Sequence, residues 1–413
     1  MAMFGPKQLV PGLFTVLGLA VLVQPATPQD PAQTPAENPT QLINSVLAEA
    51  WKSRNLTPPR KTTDADFASK LYKDLLGRAP TAPELVAFDQ TKGADKRAKL
   101  IEQLLADKQF ANHWAVVWSN MLLPEKYNKG YRDEFQKWLA GRFAANASYA
   151  DTVKAMLTAS GKTGENGAVH FILANVGTQL PEDKRADLGQ FDMVPVTEQT
   201  GRVFLGLGFQ CLACHHHPFT ASLTQREFWG VNAFFRQVER VGEPCEAPKV
   251  TLPLELKDNP KWNAEGVVRY KRRTGFTDAT GLNFPIGKSP RGGDERSRRE
   301  ILAEFVLRYK NFSPNAVNRV WGSLLPRNLM ENAGIDDIGD SNEPLYLEIM
   351  TGLANAFRDS GYDQKKLIAW ICNSDVYQLH TTPRDEDDPY FFSGLKPQPA
   401  PKPDPNSPCT GMR

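Results

Sequence analysis

The 413-residue chain has no apolar run long enough for an internal membrane span, no surplus of one charge, and few cysteines and histidines. Its 49 basic residues nearly balance 47 acidic ones, and no long basic run stands out. A nucleic-acid backbone calls for a broad surface of one sign, so the sequence argues against a nucleic-acid partner. Five cysteines are too few, and odd in number, for a disulfide scaffold. No G-x-S-x-G elbow and no H-E-x-x-H pair is present, and Gly206 and Gly208 form only G-x-G. These absences leave no standard hydrolase, metalloprotease or phosphate-loop reading. The sequence therefore makes no claim to an enzymatic activity. No repeat of constant period is evident.

Residues 1–29 carry a single side-chain charge, on Lys7, followed by an apolar run from Leu9 to Val23. That run is about 15 residues long, whereas a bilayer span needs about 20. It is the size of a signal-peptide core, and Gln24, Pro25, Ala26 and Thr27 break it. Residues 1–28 are therefore read as a signal peptide or, if uncleaved, an N-terminal anchor, and 29–41 as a polar linker. The expected location is periplasmic or extracellular, with peripheral or anchored membrane association as an option.

The remainder predicts a mainly α fold: a multi-helix array with a small irregular or β-containing insertion between two helical parts. Apolar residues at helical spacing mark Leu42 to Arg54, Asp64 to Leu76, Asp95 to Ala106, Ala111 to Leu122, Arg132 to Phe143 and Tyr149 to Thr158. Gly77 suits a helix C-cap, and Thr81 to Glu84 suits the start of the next helix. His170 to Val176 fits either strand or helix. The stripe of Phe228, Val231, Phe235 and Val238 predicts a helix over Arg226 to Val238. Residues 42–242 form the first domain in this reading. Residues 243–296 form a Pro/Gly-rich connection with a strand near Val267 to Tyr270. Residues 297–395 form a second helical domain, with helices over Pro314 to Leu324, Leu345 to Arg358 and Lys365 to Gln378. Residues 396–413 read as a disordered tail.

Chemistry concentrates in residues 209–219, Phe-Gln-Cys-Leu-Ala-Cys-His-His-His-Pro-Phe. Cys211, Cys214 and His215 form C-x-x-C-H, the attachment pattern of c-type haem. Two thiols so spaced can add to two vinyl groups on one porphyrin edge, and the adjacent imidazole can bind the iron. Export fits, because this attachment occurs outside the cytoplasm. One haem c is therefore the expected cofactor, in an electron carrier whose partner is a redox protein or another exported protein.

Alternatives remain at this level. Zinc could use Cys211, Cys214 and His216 or His217, with Cys245, an Asp or a water as fourth ligand. The result would be a non-enzymatic extracellular interaction module. A redox dithiol on a strand-then-helix turn after Val203 to Phe209, or a plain disulfide, completes the set. The distal haem ligand must come from elsewhere. His113, in a helix with Val117, Trp118 and Met121, is the leading candidate, ahead of His170, Met121, Met156, Met193 and His380. Asp336, Asp337 and Glu198 read as capping or solvated residues, and Gly206 and Gly208 as sites of close backbone packing.

The chain also resembles planctomycete-type proteins that join the DUF1549, cytochrome-associated domain to DUF1553. The first resemblance rests on Phe204–Leu205–Gly206, Gln210–Cys211, Cys214–His215, His217–Pro218–Phe219, Phe228–Trp229–Gly230 and Ala233–Phe234–Phe235. Leu75 to Thr81 and His113–Trp114 add to it. The second rests on Asn318–Arg319–Val320–Trp321, Asp340–Ser341–Asn342, Ser360 to Asp363 and Asn373 to Tyr377. Glu343, where that family prefers proline, and Leu325–Pro326–Arg327, in place of a glycine-rich segment, depart from it. The resemblance implies export and importance of the Cys/His segment. His217 matches the pattern, which keeps the zinc reading open; the candidate metal ligands are His215, His113 and His217.

Overall fold

A computed structural model describes residues 38–218, 220, 223–244, 252–285, 296–332, 337–339 and 342–379. The expected signal segment, the disordered tail, Cys245, Cys409, Asp336 and His380 lie outside the described residues. Among the described residues no helix is long and apolar enough to cross a membrane.

The fold is mainly helical. Its first part comprises α1 (Pro39–Ser53), α2 (Asp64–Leu76), α3 (Ala82–Gln90), α4 (Lys96–Ala106), α5 (Lys108–Leu122), α6 (Lys129–Ala144), α7 (Tyr149–Leu157) and α8 (Val169–Asn175). Local chemistry sets many of the boundaries. Asn38 caps α1 by accepting from the Thr40 amide, and Pro39 occupies the first helical turn. The helix thus begins inside the stretch read as linker. Gly77 ends α2 in the left-handed conformation, φ 72°. Thr81 and Glu84 form a reciprocal capping box at α3, and Glu84 is further gripped by Arg78 through two bonds of 2.8 Å.

Four more elements lead through the centre of the chain: α9 (Arg185–Leu188), α10 (Val194–Thr200), a π-helical turn Gly201–Leu205, and α11 (Gln225–Phe235). The expected helix over Arg226 to Val238 is shorter than its stripe. Val238 instead opens β2 (Val238–Val241), which pairs antiparallel with β3 (Glu255–Asp258), and β3 also pairs with β1 (Gly161–Lys162). The stripe continued because Val238 is fully buried, but its burial is against a sheet. The connecting region also holds a separate hairpin of β4 (Val268–Lys271) and β5 (Thr277–Thr280).

The last part comprises α12 (Arg298–Arg308), α13 (Phe312–Leu324), α14 (Leu347–Asp359) and α15 (Gln364–Cys372). Helix α15 stops at Cys372 rather than running to Gln378, with a separate 3-10 turn over Val376–Gln378. Both helical parts share one apolar core. Tyr149 of α7 stacks on Phe312 of α13 at 5.2 Å and packs against Phe357 of α14. Arg299, 2 % exposed, ties α12 back to the first part. It forks onto Asp258 at 2.9 and 3.0 Å and donates to the carbonyls of Leu157 and Ala159 at the end of α7. A buried guanidinium is costly unless so paired, and a helix C-terminus is a favourable place for it.

Candidate functional site

The approach to the cysteines is made by α10 and its π-helical extension. Residues Val203 to Leu205 belong to this π-helical turn rather than to a strand, so the strand-then-helix arrangement of a dithiol enzyme is not formed there. Single π turns are rare and leave carbonyls to be satisfied from outside. Here α13 supplies the donors. Asn315 Nδ2 donates to the Val203 carbonyl at 2.6 Å, and Arg319 donates to the carbonyls of Val203 and Arg202 at 3.1 and 2.6 Å. The chain then turns at Gly206, φ 60°, where a Cβ would press on Asn315 and Ile338. Ile338 in turn donates its amide to the Gly206 carbonyl at 2.6 Å. Close backbone packing is thus the role of this glycine.

Residues 209–215 form a tight turn. The amides of Cys214 and His215 both reach the Cys211 carbonyl, at 3.3 and 3.1 Å. Cys211 is half-buried and Cys214 exposed. One backbone turn therefore carries both sulfurs and the His215 imidazole, as the spacing predicts.

The three consecutive histidines are held in three different ways. His215 Nδ1 lies 2.6 Å from the His216 carbonyl oxygen. A carbonyl can only accept, so Nδ1 carries the proton and the lone pair of a neutral ring sits on Nε2. His216 Nδ1 accepts from the Gln225 amide at 3.2 Å, and His217 Nδ1 accepts from the Thr220 amide at 2.9 Å. Each of those rings has spent its Nδ1 lone pair on a backbone N–H, which puts the proton of a neutral ring on Nε2. The Nε2 of His217 faces Asp337 Oδ2 at 3.5 Å. Of the three, His215 alone presents an Nε2 lone pair with the other nitrogen locked, the arrangement typical of a metal-binding imidazole.

Gln225, 1 % exposed, organises the far side of the turn. Its side-chain amide donates to the carbonyls of Ala213 and Lys271 at 3.2 and 3.1 Å, so it bridges the cysteine loop to the β4–β5 hairpin.

Beside Cys211 opens a cavity of about 550 Å³, a size suited to a cofactor or small ligand. Leu123, Pro124, Pro195, Leu207 and Phe209 provide apolar wall; Glu198, Arg202, His217 and Asp337 provide polar groups. Glu198 is not simply a solvated residue. Burial, reinforced by the negative charge of Asp192, pushes its carboxyl up to about 7. Asp337 is not a turn cap alone either, since it reaches from the last part of the chain to His217 and lines the cavity beside Gly208. Its Oδ1 is buried without a hydrogen-bond partner among the described residues. Neither role is encoded locally: the burial of Glu198 is set by the tertiary fold, and Asp337 meets His217 from far along the chain.

The remaining candidates lie elsewhere. His113 packs at the end of α2: its Nδ1 is 2.4 Å from where a Gly77 Cβ would stand. Burial lowers its pKa, with the charge and backbone of Asp74 opposing. Leu123, which lines the cavity, lies ten residues further on, about 15 Å along the helix axis. The contacts shown for His113 are with the end of α2, at Gly77 and Asp74. His170 is also committed, with Nε2 on Glu134 at 3.1 Å and Nδ1 on the Tyr127 hydroxyl at 2.9 Å. Met156 and Met193 are buried core residues, and Met121 is packed against the core.

The donor set can be compared with the two cofactors. The turn supplies the donors a covalent haem would need, two thiols and one imidazole with an Nε2 lone pair; the cavity is lined by Cys211 and His217 and not by Cys214 or His215. Zinc fits less well, because the Nδ1 lone pairs of His216 and His217 are already spent on amides. Among the described residues no cluster of three or more His, Cys, Asp or Glu side chains is placed to hold a metal ion.

Comparison with known families gives two matches. Residues 42–240 match PSCyt2, described as a protein of unknown function (DUF1549), and residues 298–390 match PSD1, described as a protein of unknown function (DUF1553). No curated protein and no solved structure matches the chain.

Proposed function

The chain belongs to the proteins that join a DUF1549 domain to a DUF1553 domain, and we propose that it is an exported c-type cytochrome-like electron carrier with one covalent haem. The observation that carries this reading is the His215 ring, whose Nδ1 is fixed on the His216 carbonyl at 2.6 Å within the turn that also holds both cysteines.

Cys211 and Cys214 would anchor the group and His215 would be its axial ligand. Bound haem supplies a one-electron iron couple, and such work needs no substrate pocket. The chain's own contribution is orientation. The carbonyl of His216 holds the imidazole in one tautomer and makes it a better donor. Gln225 holds the cysteine loop against the hairpin, while Arg319 and Asn315 hold the π turn that feeds it. Cys214 is exposed, so an attachment there would lie at the protein surface, within reach of a redox partner.

The test is expression with export and a haem-attachment system, followed by spectroscopy. A Soret band and an alkaline pyridine haemochrome that survive denaturation are expected for native protein. Both should disappear in a C211A/C214A variant.

A further inference from the structure

The β4–β5 hairpin presents cations and a bare aromatic ring with no visible structural use. Phe276 is 75 % exposed, the most exposed large hydrophobic side chain among the described residues. It sits at the end of the turn from Arg272, whose amide donates to the Phe276 carbonyl at 2.8 Å, keeping the tip closed. Residues 271–277 are all exposed.

The pleat sorts the hairpin into two faces. Val268 and Tyr270 point inward, and Tyr270 stacks on Trp229 at 6.0 Å with planes 14° apart. Asp278 stands opposite Tyr270 and pairs with Arg272. The outward positions are Arg269 and Lys271 on β4, opposite Ala279 and Thr277 on β5. That outward face therefore has two cations and no carboxylate, and Arg273 at the tip adds a third. The one acid of the hairpin is turned to the other face.

From this sorting of charge and the bared ring we infer that the hairpin is a docking surface for an anionic lipid bilayer. Arg269, Lys271 and Arg273 would meet the headgroups and Phe276 would enter the interface. An aromatic tip flanked by cations suits that boundary, where charge attraction and apolar burial act together. Charge complementarity selects a negatively charged surface, and a single protruding ring, the one large hydrophobic of the hairpin that is exposed among the described residues, suits insertion into lipid. Through Gln225, which bonds both Ala213 and Lys271, the hairpin is joined to the cysteine turn. Docking would thus hold that turn near the membrane, whether or not haem is attached.

The experiment is co-sedimentation of the full chain with two vesicle types: phosphatidylcholine alone, and equal parts phosphatidylcholine and phosphatidylglycerol. The apolar N-terminal run would favour both types alike, so the difference between them isolates the hairpin. Stronger partition onto the phosphatidylglycerol vesicles is expected, and it should weaken as salt is raised. R269Q/K271Q/R273Q should reduce that preference by more than about ten-fold, since each cation near such a surface contributes about five-fold. Phe276→Ser should weaken binding while preserving its salt dependence. All four side chains are exposed, and an unchanged melting temperature will verify folding. Equal partition onto both vesicle types, or a preference that the triple variant retains, overturns the inference. So does charge-dependent binding to an acidic protein with none to vesicles, which would assign the surface to a protein partner.

Discussion

Arg319 donates its Nε to the main-chain carbonyl of Val203 at 3.1 Å, so a guanidinium of the DUF1553 part completes a helix end of the DUF1549 part. Arg319 is 2 % exposed, and its other branch reaches the Arg202 carbonyl. The π turn it holds lies just before the cysteines. Arg319→Met should therefore cost about 2–4 kcal/mol, because two charge-assisted bonds to buried carbonyls are lost. Arg319→Lys should recover only part, since an ammonium cannot fork. Urea denaturation followed by circular dichroism measures both. A loss under about 0.5 kcal/mol for the methionine variant would refute the clamp.

Gly77 and His113 form a second long-range pair. Gly77→Ala must place a Cβ in left-handed backbone and against the imidazole, and should cost about 2–4 kcal/mol. Adding His113→Ala removes the clash but not the backbone strain. The double variant should therefore be more stable than the sum of the single losses, by about 1 kcal/mol or more. Strict additivity would contradict the contact. His113→Ala alone should leave any haem spectrum unaltered; a changed iron ligation would return His113 to the site.

Glu198 gives a pH dependence of definite sign. Its folded pKa is raised from 4.5 to about 7 by burial, then by Asp192. A raised carboxyl pKa means the folded state prefers the protonated form. Its contribution is fully present below pH 4.5 and is lost as pH rises through about 7. Glu198→Gln should leave stability near its wild-type value at acid pH and raise it by about 1–3 kcal/mol above pH 8. The wild-type-minus-variant difference from thermal melts across pH removes the effect of other groups. A flat difference would show that Glu198 stays solvated.

The three histidines should separate by role. His216→Gln and His217→Gln should keep haem and its spectrum while lowering stability, the latter by about 1–2 kcal/mol through loss of the Thr220 and Asp337 contacts. His215→Ala should lose normal axial ligation. Equal spectral damage from all three variants would contradict the tautomer argument.

Much of the fold was legible because its signals are local. Gly77 and Thr81 with Glu84 mark helix ends through contacts three or four residues away, and both cap helices in the structure. The helical stripe could not show where α11 ends, because Val238 is buried in either setting; its cross-strand partner is Asp258. The cysteine turn was legible for the same local reason as the caps. Asp337 and His217 were not legible as a pair, since nothing near either residue encodes a contact across more than a hundred positions. The π turn was hidden too: its spare carbonyls make sense only once α13 brings Asn315 and Arg319.

Intact mass of the exported, folded protein, read together with its visible spectrum, tests the central claim most directly. The account expects the processed polypeptide plus one haem, with a Soret band retained after denaturation, and the bare polypeptide mass for C211A/C214A. A colourless native protein of bare polypeptide mass, produced beside a working haem-attachment system, would contradict it.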